Sequence, residues 1–337
     1  MNNLIKDNPI KSLSRIFLWL NSGCNSRCKM CDIWKDKNKK EISVAEIIRW
    51  VEQWKELSIQ KVVICGEPLL HSQIWEICDV IRKQDISIEL LTNGYLLNRH
   101  AQNVVHYCDV VRVSLDGPQA IHNQTRGVPE AFQNVKRGIQ SLREVQSTFP
   151  VDGRCAVHRL NFRYLRATVD AAHEIGLDSI SFSGTDVYNE EAFKRYDHID
   201  QYYVDDLVIQ LDELPDLKKE LVALQTEYIE DFRTGFISDT PGSLYQILIE
   251  YYYALAGQGP FPSVICNAPW TAAVIEYDGV VRPCFPLQPL GTLKSKNGLE
   301  QQETLLSVLN SPAAVAFRDK LDVENNLACR RCVCSTA

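Results

Sequence analysis

The sequence has no long hydrophobic run, and no stretch approaches the roughly 20 apolar residues that cross a bilayer. Residues 1–14 are polar and carry Lys6 and Lys11, with no signal-type apolar segment and cleavage site behind them. A cytoplasmic protein with no membrane segment is therefore expected. Basic residues are outnumbered too: 36 Lys and Arg stand against 43 Asp and Glu, a formal net charge of −7. That balance gives no general attraction to nucleic acid or anionic lipid, so small molecules or a peptide are the expected partners. A glycine-rich linker is also missing. What the 337 residues do hold is 12 cysteines, eight of them grouped in two sets. In a chain of this length without a signal, that pattern speaks against a secreted disulfide framework and for thiolate metal ligands.

The first set is Cys24-Asn25-Ser26-Arg27-Cys28-Lys29-Met30-Cys31, directly after the apolar run Ile16-Phe17-Leu18-Trp19-Leu20. The C-x3-C-x2-C spacing puts three sulfurs on one tight loop at a strand end, an arrangement suited to a soft metal. A closed zinc site would want a fourth ligand nearby, and the next cysteine is Cys65. A [4Fe–4S] cluster held by three cysteines leaves one iron open.

Past a charged stretch, Ser43-Val44-Ala45-Glu46 reads as a capping box opening an amphipathic helix to about residue 57. Short β-branched runs then alternate with helical segments. Strands are expected at 62–64, 88–91, 110–115, 154–158 and 179–182, helices at 71–84, 97–107, 129–147 and 161–175. With the strand at Ile16 this makes six βα units and hence a parallel α/β sheet, open or barrel-like. Reactive groups are expected at the carboxyl ends of the strands. The later chain differs, with acidic, tyrosine-rich helices over about 203–232 and 243–256. Three divisions follow: a barrel over 1–190, a helical bridge over 191–262 and a small α+β domain over 263–337.

The spacing of the first cysteines, with apolar Met30 before the last, resembles the radical S-adenosylmethionine (radical SAM) superfamily. The resemblance implies a partial (β/α)6 barrel and a SAM-binding [4Fe–4S] cluster on Cys24, Cys28 and Cys31. Cys65-Gly66-Glu67-Pro68 is similar to the family's Gly-Gly-Glu-Pro, so Gly66 and Glu67 are expected against the SAM amino group, with Met30 beside the cofactor. Cys65 departs from the pattern, either as a tolerated small residue or as a thiol that donates hydrogen to a substrate radical. Ser114 and Arg126, the latter in a loop, match the family's serine and arginine facing the SAM carboxylate and ribose. Asp116-Gly117-Pro118 between them reads as a turn. Asn161 is either a ribose contact or a helix N-cap.

The second set is Cys266, Cys284, Cys329, Cys332 and Cys334. A hairpin around Asp278-Gly279 returns Cys284 toward Cys266, and helical residues over about 302–320 lead to Cys329-Arg330-Arg331-Cys332. Spacing alone allows a structural zinc site. Cys266, Gly279 and Cys284 resemble the opening half of the SPASM motif, and the shortened form looks like a twitch domain with one auxiliary [4Fe–4S] cluster. That implies Cys266, Cys284, Cys329 and Cys332 as ligands, with Cys334 in competition for the fourth place. Cys78, Cys108 and Cys155 are expected in the core.

The resemblance implies reductive cleavage of SAM to a 5′-deoxyadenosyl radical that takes hydrogen from an unactivated carbon, an external flavodoxin or ferredoxin supplying the electron. The expected activity is modification of a ribosomally made peptide by crosslinking, epimerisation or excision, the auxiliary cluster accepting electrons. With the first strand so close to residue 1, no room is expected for a leader-binding domain, which counts against the peptide reading unless a separate leader-peptide-binding protein supplies one. The alternatives are dehydrogenation of a small alcohol of aminocyclitol type, a non-catalytic iron–sulfur sensor, or a zinc-stapled scaffold. Asp186 and Tyr188, at the sixth strand end, are candidates for the base that takes the released proton.

Overall fold

The computed structural model describes residues 6–188, 190–191, 195–196, 201–294 and 303–334. Six β-branched segments form parallel strands: β1 (Arg15–Trp19), β2 (Lys61–Cys65), β3 (Ser87–Thr92), β4 (Val110–Ser114), β5 (Val151–Ala156) and β6 (Ser179–Ser183). Between them lie α1 (Val44–Trp54), α2 (Ile74–Arg82), α3 (Leu97–Tyr107), α4 (Gln119–Arg126), α5 (Ala131–Val145) and α6 (Leu165–Ile175). The fold is therefore mixed α/β around a parallel, unclosed barrel.

Three further strands extend the same sheet. β7 (Ala272–Ile275) pairs parallel with β1, β8 (Val280–Arg282) returns antiparallel, and β9 (Gly291–Thr292) closes the edge. Among the described residues the sheet has nine strands in the order β6-β5-β4-β3-β2-β1-β7-β8-β9. The carboxyl-terminal hairpin thus grows directly from the barrel's first strand. At the other edge, β6 exchanges hydrogen bonds with the 236–238 stretch, which covers its free backbone groups.

Alternation along the strands separates two faces. Ile16 and Leu18, Val62 and Ile64, Ile88 and Leu90, and Val111 and Val113 are fully buried on the helix-covered side. The opposite wall is polar across β2–β6: Glu89 pairs with Lys61 at 3.5 Å and with Arg112 at 3.1 Å, and Ser179 Oγ donates to Asp152 at 2.8 Å. Such a wall belongs to an accessible interior, since a packed core would leave its charges desolvated.

Several boundaries differ from expectation. β5 runs over Val151–Ala156: it starts three residues early in register with β4 and ends two residues early, where the amide of His158 turns away to the Asn161 side chain. The 203–232 helix is broken: Gln201–Leu207 ends before Leu214–Glu227, where Pro215 in the first turn blocks continuation upstream. Pro312, with Ser311 as N-cap, likewise splits the 302–320 segment into Leu305–Leu309 and Pro312–Lys320, residue 302 lying outside the described residues. The 243–256 helix contains a π-helical turn over Tyr245–Glu250. Arg126 is not in a loop; it is the last residue of α4. That helix escapes a periodicity reading because only His122 and Thr125 are buried on it.

Candidate metal centre and active site

The three-cysteine loop rests on the carboxyl end of α4. Arg27 N donates to Arg126 O at 2.9 Å, Lys29 N to Thr125 O at 3.1 Å, and Ser26 Oγ to Arg126 O at 3.1 Å. Gly127 ends α4 in the left-handed region at φ +63, and a Cβ there would stand 2.6 Å from Arg27 O. Its lack of a side chain is what lets loop and helix touch.

Donors surround the sulfurs. Ser26 N donates to Cys24 Sγ at 3.4 Å, Asn93 Nδ2 approaches the same sulfur at 3.9 Å, and Ser26 Oγ lies 3.1 Å from Cys28 Sγ. Arg126 Nη1 donates to Cys28 Sγ at 3.5 Å. Burial, then the charge of Glu67, pushes the Cys24 thiol up to about 12, and burial raises Cys31 further. Thiolates there require a cation, and N–H donors aimed at the sulfurs suit an iron–sulfur cluster. The donor set fits a [4Fe–4S] group. Among the described residues neither cysteine set is drawn in to the spacing of a single metal ion.

Next to this loop stand the ends of the following strands. Gly66 has φ +85, and a Cβ on it would meet the Trp19 ring at 2.6 Å. The Glu67 carboxylate is buried; Thr92 Oγ1 and Asn93 N donate to it, each at 2.8 Å, while Asn21 Nδ2 donates to its carbonyl at 3.0 Å. Burial raises Glu67 to about 7 against the lowering by those donors. Cys65 closes β2 opposite Trp19, and burial followed by the nearby Glu276 raises its thiol. Met30 is half-buried against the main core. Ser114 ends β4, half-buried on the inner wall in register with Arg154.

The structure places two residues differently from expectation. Arg126 Nε lies 2.6 Å from Asp116 Oδ2, so its guanidinium is shared between that carboxylate and Cys28. Asp116 is fully buried, and Arg126, His122 and His158 hold it below the usual range despite its burial. Asn161 makes no side-chain cap and is closed to a ribose: it accepts from His158 N at 2.7 Å and donates to Asp116 O at 3.0 Å and Ala156 O at 2.9 Å. Buried amides are satisfied internally in this way. Asp116 was missed in the sequence because Asp-Gly-Pro also spells a turn; its place just past β4 was the available signal.

The second cysteine set has its own small core of Val264, Trp270, Leu287, Val323 and Cys329. Burial, then Cys329, Cys266 and Cys334, raises Cys284, and Cys334 N donates to Cys332 Sγ at 3.3 Å. Cys334 thus lies beside Cys332, and the charges of Cys329, Cys266 and Cys334 all reach Cys284. Cys78, Cys108 and Cys155 are buried in the main core.

The tail carrying Cys329, Cys332 and Cys334 reaches the barrel mouth. Arg331 stacks over the exposed Tyr188 ring at 4.3 Å, and Tyr251 Oη donates to Thr185 O at 3.2 Å and Arg331 O at 3.4 Å. Asp186 accepts from Tyr188 N at 3.0 Å. Across the mouth, Glu276 binds Arg195 through both oxygens at 2.5 and 2.9 Å and Arg282 Nε at 2.7 Å. Arg195 N donates to Asp32, beside Cys31, at 3.0 Å, and its guanidinium covers Trp19 at 4.7 Å. No helix among the described residues is long and apolar enough to cross a membrane.

Residues 20–172 match the radical SAM superfamily, and residues 266–333 match SPASM, an iron–sulfur cluster-binding domain. A curated AdoMet-dependent heme synthase of Methanosarcina barkeri is 28% identical over 169 residues, 48% of this chain and 48% of the relative. An S-adenosylmethionine-dependent nucleotide dehydratase of a Fibrobacter species is 24% identical over 175 residues, 47% of this chain and 51% of the relative. The chain spans about half the length of the curated relatives it matches. Streptococcus suis SuiB bound to S-adenosylmethionine superposes with TM-score 0.61 at 17% identity, over 96% of this chain and 72% of that one. AnSMEcpe with bound AdoMet and a peptide superposes with TM-score 0.65 at 21% identity, over 94% and 87%. These structures share the fold. Radical SAM and SPASM domains carry [4Fe–4S] clusters and the former binds S-adenosylmethionine, which agrees with the donor sets at both ends of the chain. On its two domain matches, its unclosed barrel and its cysteine loop, the chain carries a radical SAM domain over residues 20–172 and a SPASM-type iron–sulfur domain over residues 266–333.

Proposed function

We propose that this chain is a radical SAM enzyme that modifies a ribosomally made peptide. The observation that carries the radical chemistry is the convergence of Ser26, Asn93 and Arg126 donors on Cys24 and Cys28, at the carboxyl end of the barrel. When bound, a cluster with an open iron passes an electron to S-adenosylmethionine and frees a radical able to take hydrogen from unactivated carbon. Cys24, Cys28 and Cys31 hold that cluster. Gly66, whose missing side chain lets the turn after β2 close on Trp19, lies beside the cofactor, and Ser114 presents a hydroxyl to it from the inner wall. Cys266, Cys284, Cys329 and Cys332 hold the auxiliary cluster, with Cys334 able to stand in for one of them. Asp186 or Tyr188, beneath the tail, takes the proton that oxidation of the substrate releases. The domains divide near residues 190 and 262.

A peptide substrate is supported by the two peptide-handling proteins whose fold matches nearly the whole chain, since SuiB and anSMEcpe are both seen with bound peptides. The external reductant is a flavodoxin or ferredoxin. A second reading has its own support: the relatives in sequence are named for heme synthesis and nucleotide dehydration, which favours a non-peptide substrate.

The test is anaerobic reconstitution, with iron and sulfide counted per chain and 5′-deoxyadenosine assayed after SAM and reductant. Two clusters' worth of iron, half of it lost with all cleavage when Cys24, Cys28 and Cys31 become Ala, is the expected result. Iron without cleavage, candidate substrates present, would sink the proposal. Asp186→Asn is expected to leave SAM cleavage intact while slowing product formation.

A further inference from the structure

The resemblance assigns Arg126 to the SAM carboxylate, but its guanidinium is already engaged. Nε meets Asp116 Oδ2 at 2.6 Å and Nη1 donates to Cys28 Sγ at 3.5 Å. Asp116 is fixed in turn: Oδ1 accepts from Ala156 N at 3.2 Å, and its own amide donates to His122 Nδ1 at 3.1 Å. The peptide oxygen of Arg126 holds the loop by accepting from Arg27 N and Ser26 Oγ. One residue thus docks the cysteine loop with its backbone and charges one sulfur with its side chain. A planar fork can serve two acceptors in fixed geometry, which a lysine cannot.

We propose that Arg126, oriented by Asp116, is a positioning residue that raises the reduction potential of the N-terminal cluster by donating a charged N–H to the Cys28 sulfur. The inference rests on the cluster assignment made above. Reduction adds one electron to the cluster and its thiolates, and hydrogen bonds and positive charge at the sulfurs stabilise that added charge. A buried cation is worth more here than one at the surface, because little water screens it. The electron itself comes from the external reductant of the proposed reaction.

The test is an EPR-monitored redox titration of the reconstituted protein without SAM, beside SAM affinity read from the change SAM causes in the reduced cluster's signal. Asp116→Asn/Arg126→Met removes both charges, so no lone ion is buried. At a fixed potential it is expected to be about tenfold less reduced, equivalent to about 59 mV for one electron. Arg126→Lys keeps the charge without the fork and is expected to fall between the two; it decides the matter if the double variant loads no cluster. SAM affinity is expected to stay within about threefold. A loaded cluster at wild-type potential in these variants overturns the inference, and with a large loss of SAM affinity it returns Arg126 to the carboxylate role. If the unaltered chain takes up no cluster, the functional proposal itself fails, and this inference with it.

Discussion

Gly127 and Gly176 both end helices in the left-handed backbone region, and of the two Gly127 touches the cysteine loop. Gly127 follows α4 at φ +63 and Gly176 follows α6 at φ +81. An alanine at either position adopts a left-handed conformation, costing about 1–2 kcal/mol. At Gly176 nothing lies within 4 Å of the new Cβ, so the cost stops there. At Gly127 the Cβ would lie 2.6 Å from the carbonyl oxygen of Arg27, and backbone cannot swing aside as a side-chain tip can. Relief requires loop and helix to part, which strains the bonds from Arg27 N, Lys29 N and Ser26 Oγ. Each such bond contributes about 1 kcal/mol net. Gly127→Ala is therefore expected to destabilise the metal-free protein by about 2–5 kcal/mol and Gly176→Ala by about 1–2 kcal/mol. Urea unfolding measures the difference, and iron per chain after reconstitution reads the loop. Gly176→Ala should keep its full iron, while Gly127→Ala should lose the share held by the first three cysteines. Equal stability and equal iron in the two variants would refute the docking argument.

Further expectations concern the buried charges. Burial lowers His122 to about 3, helped by Arg126, and lowers His158 to about 4. Both folded values lie below the ordinary 6.5, so their contribution to stability is whole above pH 6.5 and is lost as pH falls, down to about 4 for His158 and about 3 for His122. His122→Asn, which keeps an acceptor for the Asp116 amide, should cut the acid-limb slope by about 1.4 kcal/mol per pH unit in denaturant titrations; an unchanged slope would show that His122 charges freely in the fold. Glu276→Gln leaves Arg195 and Arg282 short of their shared carboxylate and should cost about 3–5 kcal/mol in urea unfolding. A cost under about 1 kcal/mol would mean water reaches that network and screens it.

Much of the architecture is legible from local chemistry. β-branched runs separated by amphipathic segments give the six βα units, and the Ser43–Glu46 capping box forms as its spacing demands, Ser43 N donating to Glu46 Oε2 at 2.8 Å. The C-x3-C-x2-C loop and Gly66 are readable for the same reason: sulfur ligation and a left-handed turn each depend on a few adjacent residues. Legibility ends where partners are remote in sequence. That β7 would pair with β1 depends on a contact across more than 250 positions, for which a local pattern carries no signal. The short helix α4 is too polar to announce itself, and without it Arg126 reads as a loop residue open to a ligand. Its engagement with Asp116 and Cys28, like the enclosure of Asn161, follows from three strand ends converging on one buried point. Which residues are available to ligate metal, and roughly where each strand ends, can be read from adjacent residues alone. Which charges neutralise one another is settled in the fold, because burial makes an unpaired ion too costly and forces each to take the partner brought within reach.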